Sequence, residues 1–359
     1  MFSILLKRIS RVLLIVLSTL LIFGALTSPA KGNSLVLSAN GAVLIDVQSG
    51  RILYQKNAAQ QMRVASLTKI MTAIVAIEDG DLSKMVTTSN RAYGVEGSSI
   101  YLKKGEKLSL EDMLYGLMLR SGNDAAVAIA EHIGGSVEGF VFLMNEKAAY
   151  LGMNDTHFMN PHGLDHKDHY STPQDMAILT AYALQNPIFK KIVSTKVKTA
   201  PMEGEEWVRK WYNKNRLLTR YQWADGVKTG FTKLSRRCLA SSATKDNVQL
   251  AVITLNASDD WNDHIKLLEY GFNNFTQVAL IEKGETLDNL AKIEKGTLVA
   301  AKDFTYPLAK DEIDEISKKV VLDSESIKTG LKQAGHLEFY LKDKYIGSIE
   351  ITLKNEDIH

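Results

Sequence analysis

An α+β fold is expected for this chain, with helices packed on an antiparallel sheet and a small all-β domain following. Three observations predict it. Strand-like runs appear near residues 39–54 and return at 226–230, 238–244 and 248–256, as they would if the first and last strands of one sheet paired across the chain. Between these runs, apolar residues recur at helical spacing. Beyond Phe275 no tryptophan remains, and the sequence offers only short alternating runs such as 337–341 and 346–353.

Taken in order, residues 1–30 read as a secretory signal. Basic residues precede the apolar run 12–23, and small residues follow at Ser28 and Ala30. The run is short for a membrane span, which favours cleavage and export. Gln48-Ser-Gly50 then marks a hairpin. A helix follows with Ile70, Ala73, Ile74 and Ile77 on a buried stripe, ending near Gly80. Residues 82–108 are mixed loops with small strands. Ser109-Leu-Glu-Asp112 resembles a capping box and starts a helix burying Leu110, Met113, Leu114 and Leu117. That helix breaks at Arg120-Ser-Gly-Asn-Asp124, an alanine-rich helix runs on to Ile133, and another spans 137–150. Residues 155–170 carry loop chemistry. Ser171-Thr-Pro-Gln-Asp175 caps a helix, with Pro173 suited to its first turn, and that helix stops before Pro187. From about Ile192 to Leu255 the character changes to strands, notably at 226–230, 238–244 and 248–256, and a helix over 260–275 closes the first domain, set at 34–275. Residues 276–359 are the second.

Composition sets outer limits. Hydrophobic content of 45% and charged content of 23% suffice for a sizeable globular core. The formal charge is +2, and Lys7, Arg8, Arg11 and Lys31 lie in or beside the leader. Without them the remainder carries about −2, which gives no electrostatic case for nucleic-acid binding. The single cysteine, Cys238, excludes an intrachain disulfide framework and reads as a small buried residue.

Ser66-Leu-Thr-Lys69 stands at the head of the first helix. That spacing puts a hydroxyl and an amine on one face, a turn apart. A serine needs a base within hydrogen-bond reach to act as a nucleophile, and a desolvated lysine can serve. Ser121-Gly-Asn123 follows at the break between two helices, and Lys228-Thr-Gly230 lies in a strand-like run. The three elements, in this order, resemble the penicillin-binding and serine β-lactamase superfamily. Within it the chain is most similar to the low-molecular-mass penicillin-binding proteins, the serine-type D-alanyl-D-alanine carboxypeptidases of peptidase family S11. Further matches stand at Asn160-Pro-His-Gly-Leu164, Asn213-Lys-Asn-Arg-Leu-Leu218 and Asp225-Gly-Val-Lys-Thr-Gly-Phe-Thr232.

The resemblance implies Ser66 as acylated nucleophile, Lys69 as its base, and Ser121 as proton relay to the leaving amine. Asn123 would hold the substrate amide, while Lys228, Thr229 and Gly230 receive the substrate strand and its terminal carboxylate. The oxyanion hole would fall on the backbone N–H groups of Ser66 and Phe231. No cofactor is implied. The expected partners are peptidoglycan stem peptides ending in D-Ala-D-Ala, with β-lactam antibiotics as covalent inhibitors. Location would be extracytoplasmic, in the cell wall or on the outer face of the cytoplasmic membrane. The rivals are a class A-like β-lactamase, for which no suitably placed Glu-x-x-x-Asn stands out, and a non-catalytic peptidoglycan-binding protein.

Several look-alikes are set aside. Ser28-Pro-Ala-Lys31 falls in the leader, and Ser242-Ala-Thr-Lys245 in a strand-like run, where residues three apart face opposite ways. A second Lys328-Thr-Gly330 lacks the Asp-Gly lead-in. His157, His162, His166 and His169 cluster in a segment interrupted by Pro161 and Gly163, which opposes the regular helix of an i, i+4 metal site, so no metal is expected. Leu234-Ser-Arg-Arg237 departs from the family pattern, and either Arg236 or Arg237 is available for the substrate carboxylate. The last residues read as a strand and a polar tail without the family's amphipathic membrane anchor, which leaves membrane association open.

Overall fold

The computed structural model describes residues 35–202, 204–287, 289–290, 296–323, 326 and 333–354. The expected leader, the second Lys-Thr-Gly and residues 355–359 lie outside the described residues.

The chain opens on the expected hairpin, β1 (Gly41–Asp46) and β2 (Ile52–Lys56). A 3-10 turn over Ala65–Thr68 leads into α1 (Lys69–Asp79). Two short strands, β3 (Met85–Thr87) and β4 (Lys107–Ser109), pair with each other. Then come α2 (Leu110–Arg120), α3 (Asn123–Gly134), α4 (Val137–Tyr150) and α5 (Pro173–Gln185). The side chains of Ser109, Ser136 and Thr172 cap three of them, each accepting from a backbone N–H three residues on.

The change to strands expected from about Ile192 is corrected at its start. Helix α6 (Pro187–Ser194) occupies its start, capped by Asn186, whose side chain accepts from the N–H groups of Ile188 and Phe189. Pro187 thus begins a helix as well as limiting the one before it, because a first-turn proline forfeits no helical hydrogen bond. A hairpin of β5 (Val197–Pro201) and β6 (Val208–Tyr212) follows, then a short α7 (Leu217–Arg220).

Strands β7 (Ala224–Thr232), β8 (Arg236–Lys245) and β9 (Val248–Ala257) complete a five-stranded antiparallel sheet in the order β2-β1-β9-β8-β7. The first strand pairs with the last, as expected, and α8 (Asp260–Asn274) packs on this sheet. Helix α1 is more enclosed than a single buried stripe: Lys69 to Ile77 are all buried, and α2 through α6 all touch it. A helix buried on every face is a poor place for a charge, and its first residue is a lysine.

The all-β domain begins at β10 (Thr276–Ile281). Beyond it lie β11 (Thr297–Ala300), β12 (Phe304–Leu308), β13 (Ile316–Leu322), β14 (Gln333–Leu341) and β15 (Lys344–Lys354). Strands β10 and β12 pair, and the other four form an antiparallel sheet in the order β11-β15-β14-β13. Its core gathers Leu337, Phe339, Ile349 and Ile351, with Phe304 stacked on Phe339 at 4.4 Å. Arg51 joins the two parts. Its guanidinium lies against the rings of Phe275 and Tyr306 and pairs with Glu312 at 2.5 Å. Among the described residues no single helix is long and apolar enough to cross a membrane.

Candidate active site

Ser66 lies in the 3-10 turn, and Lys69 is the first residue of α1. In a 3-10 turn residues i and i+3 eclipse each other, so the two side chains meet. Lys69 Nζ is 3.2 Å from Ser66 Oγ. It also donates to Asn123 Oδ1 at 2.7 Å and to the backbone carbonyl of His162 at 2.5 Å. The lysine is fully buried. Burial holds it well below the usual lysine value, and the positive charges of Lys228 and Lys214 lower it further.

Three segments from distant parts of the chain close around this amine. Ser121 caps α2 with its backbone at φ 65°, in the left-handed region, its N–H donating to the carbonyl of Gly116. That conformation costs a non-glycine residue about 1 kcal/mol or more and reverses the chain between α2 and α3. Asn123, at the start of α3, donates through Nδ2 to the carbonyl of Glu96 at 2.6 Å, which turns its oxygen toward Lys69. The loop bearing His162 presses so closely on the 3-10 turn that a Cβ at Gly163, where φ is +84°, would fall 1.9 Å from the Ala65 carbonyl oxygen. Only glycine fits there.

The third segment is β7. Lys228 is buried and donates to Ser121 Oγ at 3.1 Å. Burial, with Lys214 adding to it, pulls Lys228 down to about 7. Gly230 lies flat against the 3-10 turn: a Cβ there would sit 3.2 Å from the Ser66 nitrogen and 3.4 Å from that of Leu67. A cavity of about 680 Å³ opens over these groups, lined by Ser66, Ser121, Thr229, Gly230 and Phe231. Lys69, Asn123 and Lys228 stand behind it. Every sequence-derived site residue therefore converges on one cleft.

Such a convergence of a serine, a desolvated lysine and a strand edge invites comparison with known proteins. Residues 28–259 match the family described as D-alanyl-D-alanine carboxypeptidase, and residues 275–358 match the C-terminal domain of penicillin-binding protein 5. The chain belongs to the D-alanyl-D-alanine carboxypeptidase family. The D-alanyl-D-alanine carboxypeptidase DacF of Bacillus subtilis is 37% identical over 279 residues, covering 74% of this chain and 69% of its own. DacD of Salmonella typhimurium is 33% identical over 333 residues, covering 86% and 84%. The crystal structure of penicillin-binding protein 5 from Haemophilus influenzae superposes with a TM-score of 0.73 at 30% identity, over 89% of this chain and 98% of that one.

In this member of the carboxypeptidase family, the cleft also holds residues the motifs did not single out. Lys214 reaches Ser98 Oγ at 3.0 Å, and Arg216, Asp260 and Trp261 line the cavity. Lys214 lies inside the matching segment 213–218, whereas nothing in the sequence marked the start of α8. Of the two open arginines, Arg237 lines the cavity and pairs with Asp260 at 3.5 Å. Arg236, at the start of β8 with φ at 59°, does not line it.

The clustered histidines are held apart by separate duties. His169 Nε2 meets Thr68 Oγ1 at 2.8 Å while its Nδ1 accepts from Met159, and His157 Nδ1 meets the carbonyl of Asp168. Burial lowers both His162 and His169 to about 3, which keeps them neutral beside Lys69. Cys238 is buried, and burial pushes its thiol up to about 11, so it stays protonated.

Proposed function

We propose that this chain is a serine-type D-Ala-D-Ala carboxypeptidase that removes the terminal D-alanine from peptidoglycan pentapeptide stems through an acyl-enzyme on Ser66. The observation that carries this reading is the set of three partners around Lys69. A neutral amine has two N–H bonds and one lone pair. Asn123 Oδ1 and the His162 carbonyl take the two N–H groups, and the third neighbour is the Ser66 hydroxyl. The lone pair is left facing the proton it has to remove.

In this mechanism Ser66 Oγ attacks the carbonyl carbon between the two D-alanines as its proton passes to Lys69. The oxyanion is received by the backbone N–H groups of Ser66 and Phe231, a reading that the close approach of Gly230 to the Ser66 nitrogen supports. Collapse breaks the C–N bond, and the leaving amine takes a proton through Ser121, whose hydroxyl Lys228 holds at 3.1 Å. Thr229, Lys228 and Arg237 supply the donors for the terminal carboxylate. Water then hydrolyses the ester and releases the shortened stem. Penicillins, which present a strained amide in the same arrangement, acylate Ser66 in place of the stem. The substrate and the expected secretory signal together put the work outside the cytoplasmic membrane.

The test is an intact-mass time course with benzylpenicillin, beside an assay of D-alanine release from a soluble pentapeptide. The expected result is a slowly decaying adduct on Ser66 and D-alanine release, both lost in Ser66→Ala. Rapid penicillin turnover with no lasting adduct would instead indicate a β-lactamase. D-alanine release surviving in Ser66→Ala would sink the assignment.

A further inference from the structure

Beside the catalytic cleft lies a second groove of about 360 Å³, between the 99–102 loop and the outer part of β6. Its walls carry Tyr101, which is 83% exposed, and Tyr212, which is 55% exposed, with Lys210 lying 5.4 Å from the Tyr212 ring. Isolated exposed aromatics are ordinary. These two flank a concavity, and hydrogen bonds hold the backbone at both.

The 99–102 loop is pinned by the buried carboxylate of Asp124, which accepts from the N–H groups of Ile100 and Leu102 and from Ser99 Oγ. Tyr101 itself sits at φ 60° with its N–H donating to Ser99 Oγ at 2.8 Å. On the other side, Arg120 donates to the carbonyl of Tyr212 at 3.1 Å. A buried Arg209–Glu106 ion pair ties β6 to the segment before β4. Asp124 is the neighbour of Asn123, and Arg120 the neighbour of Ser121. The groove is thus a preformed extension of the same framework that positions the catalytic cleft, and Ser98 lines one cavity while Ser99 lines the next.

A groove walled by tyrosine rings, with Ile100, Met202 and Trp211 among its lining and Ser99, Arg120 and Lys210 as its polar groups, fits a carbohydrate. Sugar rings lay their C–H faces on aromatic rings, and their hydroxyl and acetamido groups accept from arginine and lysine and exchange hydrogen bonds with tyrosine hydroxyls. We propose that this groove is a subsite for the N-acetylated sugar backbone that carries the stem peptides, so that the enzyme reads its substrate as a glycopeptide polymer. The proposal rests on the carboxypeptidase reading for the identity of that polymer. The groove's preference for sugar can be judged without any catalysis.

The probe is a β-1,4-linked tetramer of N-acetylglucosamine, titrated calorimetrically into the full chain and into a Tyr101→Ala/Tyr212→Ala variant. Saturable binding by the parent, lost in the variant, is expected. In parallel, kcat/KM for D-alanine release is compared on a short soluble pentapeptide and on glycan strands bearing the same stem. The variant is expected to keep its activity on the short peptide and its penicillin acylation, which also reports on folding, and to lose about tenfold on the glycan-borne stem. No tetramer binding by the parent overturns the proposal. So does an equal effect on both substrates, or binding at the groove of anionic lipid vesicles in place of the sugar. If neither substrate releases D-alanine, the carboxypeptidase reading fails, and the titration still decides the groove.

Discussion

Ser66 and Ser242 each stand three residues ahead of a lysine, and only the first pair meets. On the 3-10 turn the two side chains eclipse, leaving Oγ and Nζ 3.2 Å apart. On β8 the same spacing sends them to opposite faces. Ser242 Oγ donates to Asp225 Oδ1 at 2.5 Å, while Lys245 lies 5.9 Å from the Phe272 ring. The surroundings differ as much as the geometry. Burial, with Lys228 and Lys214 adding to it, keeps the Lys69 amine ready to accept a proton. Lys245 is only partly buried, and its company is a ring. A tetrapeptide pattern therefore becomes a catalytic pair only when the backbone aligns it and the interior desolvates it.

The comparison can be broken most severely at Lys69. Lys69→Gln keeps a polar side chain but removes the proposed base. Penicillin acylation of Ser66 is expected to slow by about 10² to 10⁴, the usual worth of a positioned general base. Stopped-flow acylation measures it, and a loss below tenfold would show that another group takes the proton.

A milder change tests the electrostatics. Lys214 lowers Lys69 and Lys228 from a distance. In Lys214→Gln that repulsion is gone, so both amines hold their protons to higher pH. In the proposed mechanism acylation requires neutral Lys69, so the rising limb of its pH profile is expected to move to higher pH. A limb that stays in place, or moves down, would mean that Lys214 does not govern the base.

The smallest effect belongs to the look-alike. Ser242→Ala deletes one of three hydrogen bonds accepted by Asp225, the others coming from Thr244 and Gln249. A loss of about 1.5–3 kcal/mol in unfolding free energy is expected from urea titration, because the lost bond is to a carboxylate. The penicillin adduct should form at an unchanged rate. Loss of the adduct would erase the distinction between the two pairs.

What could be read from the chain was mostly local. The β1–β2 hairpin and the caps at Ser109 and Thr172 depend on neighbours in sequence, and each is where pattern and turn chemistry place it. Helix α6 is hard to read because Pro187 marks the end of one helix as readily as the start of another, and because Ile192 and Val193 have strand propensity. The start signal was nonetheless present in Asn186. The motifs marked Ser66, Lys69 and Lys228, yet they could not show that a backbone carbonyl, that of His162, completes the amine's surroundings. Nor could they mark Asp260 and Trp261, which reach the cleft only because α8 folds back over the sheet. Choosing Arg237 over Arg236 likewise needed the register of β8 against β7.

The strand order of the main sheet also has a consequence in time. Strand β1 lies between β2 and β9, so the opening hairpin waits for a partner some two hundred residues later. The walls of the lysine's chamber come from Asn123, His162 and β7, and β7 is held by β8. Until those strands arrive, Ser66 is an ordinary hydroxyl beside a protonated amine, and long-range pairings of this kind form late. A chain ending after Thr195 is therefore expected to carry the complete Ser-x-x-Lys sequence and take up no penicillin. Adduct formation by such a fragment would refute this order of events. The nucleophile is safe by construction: it acquires its reactivity only when nearly all of the surrounding fold is in place to direct it.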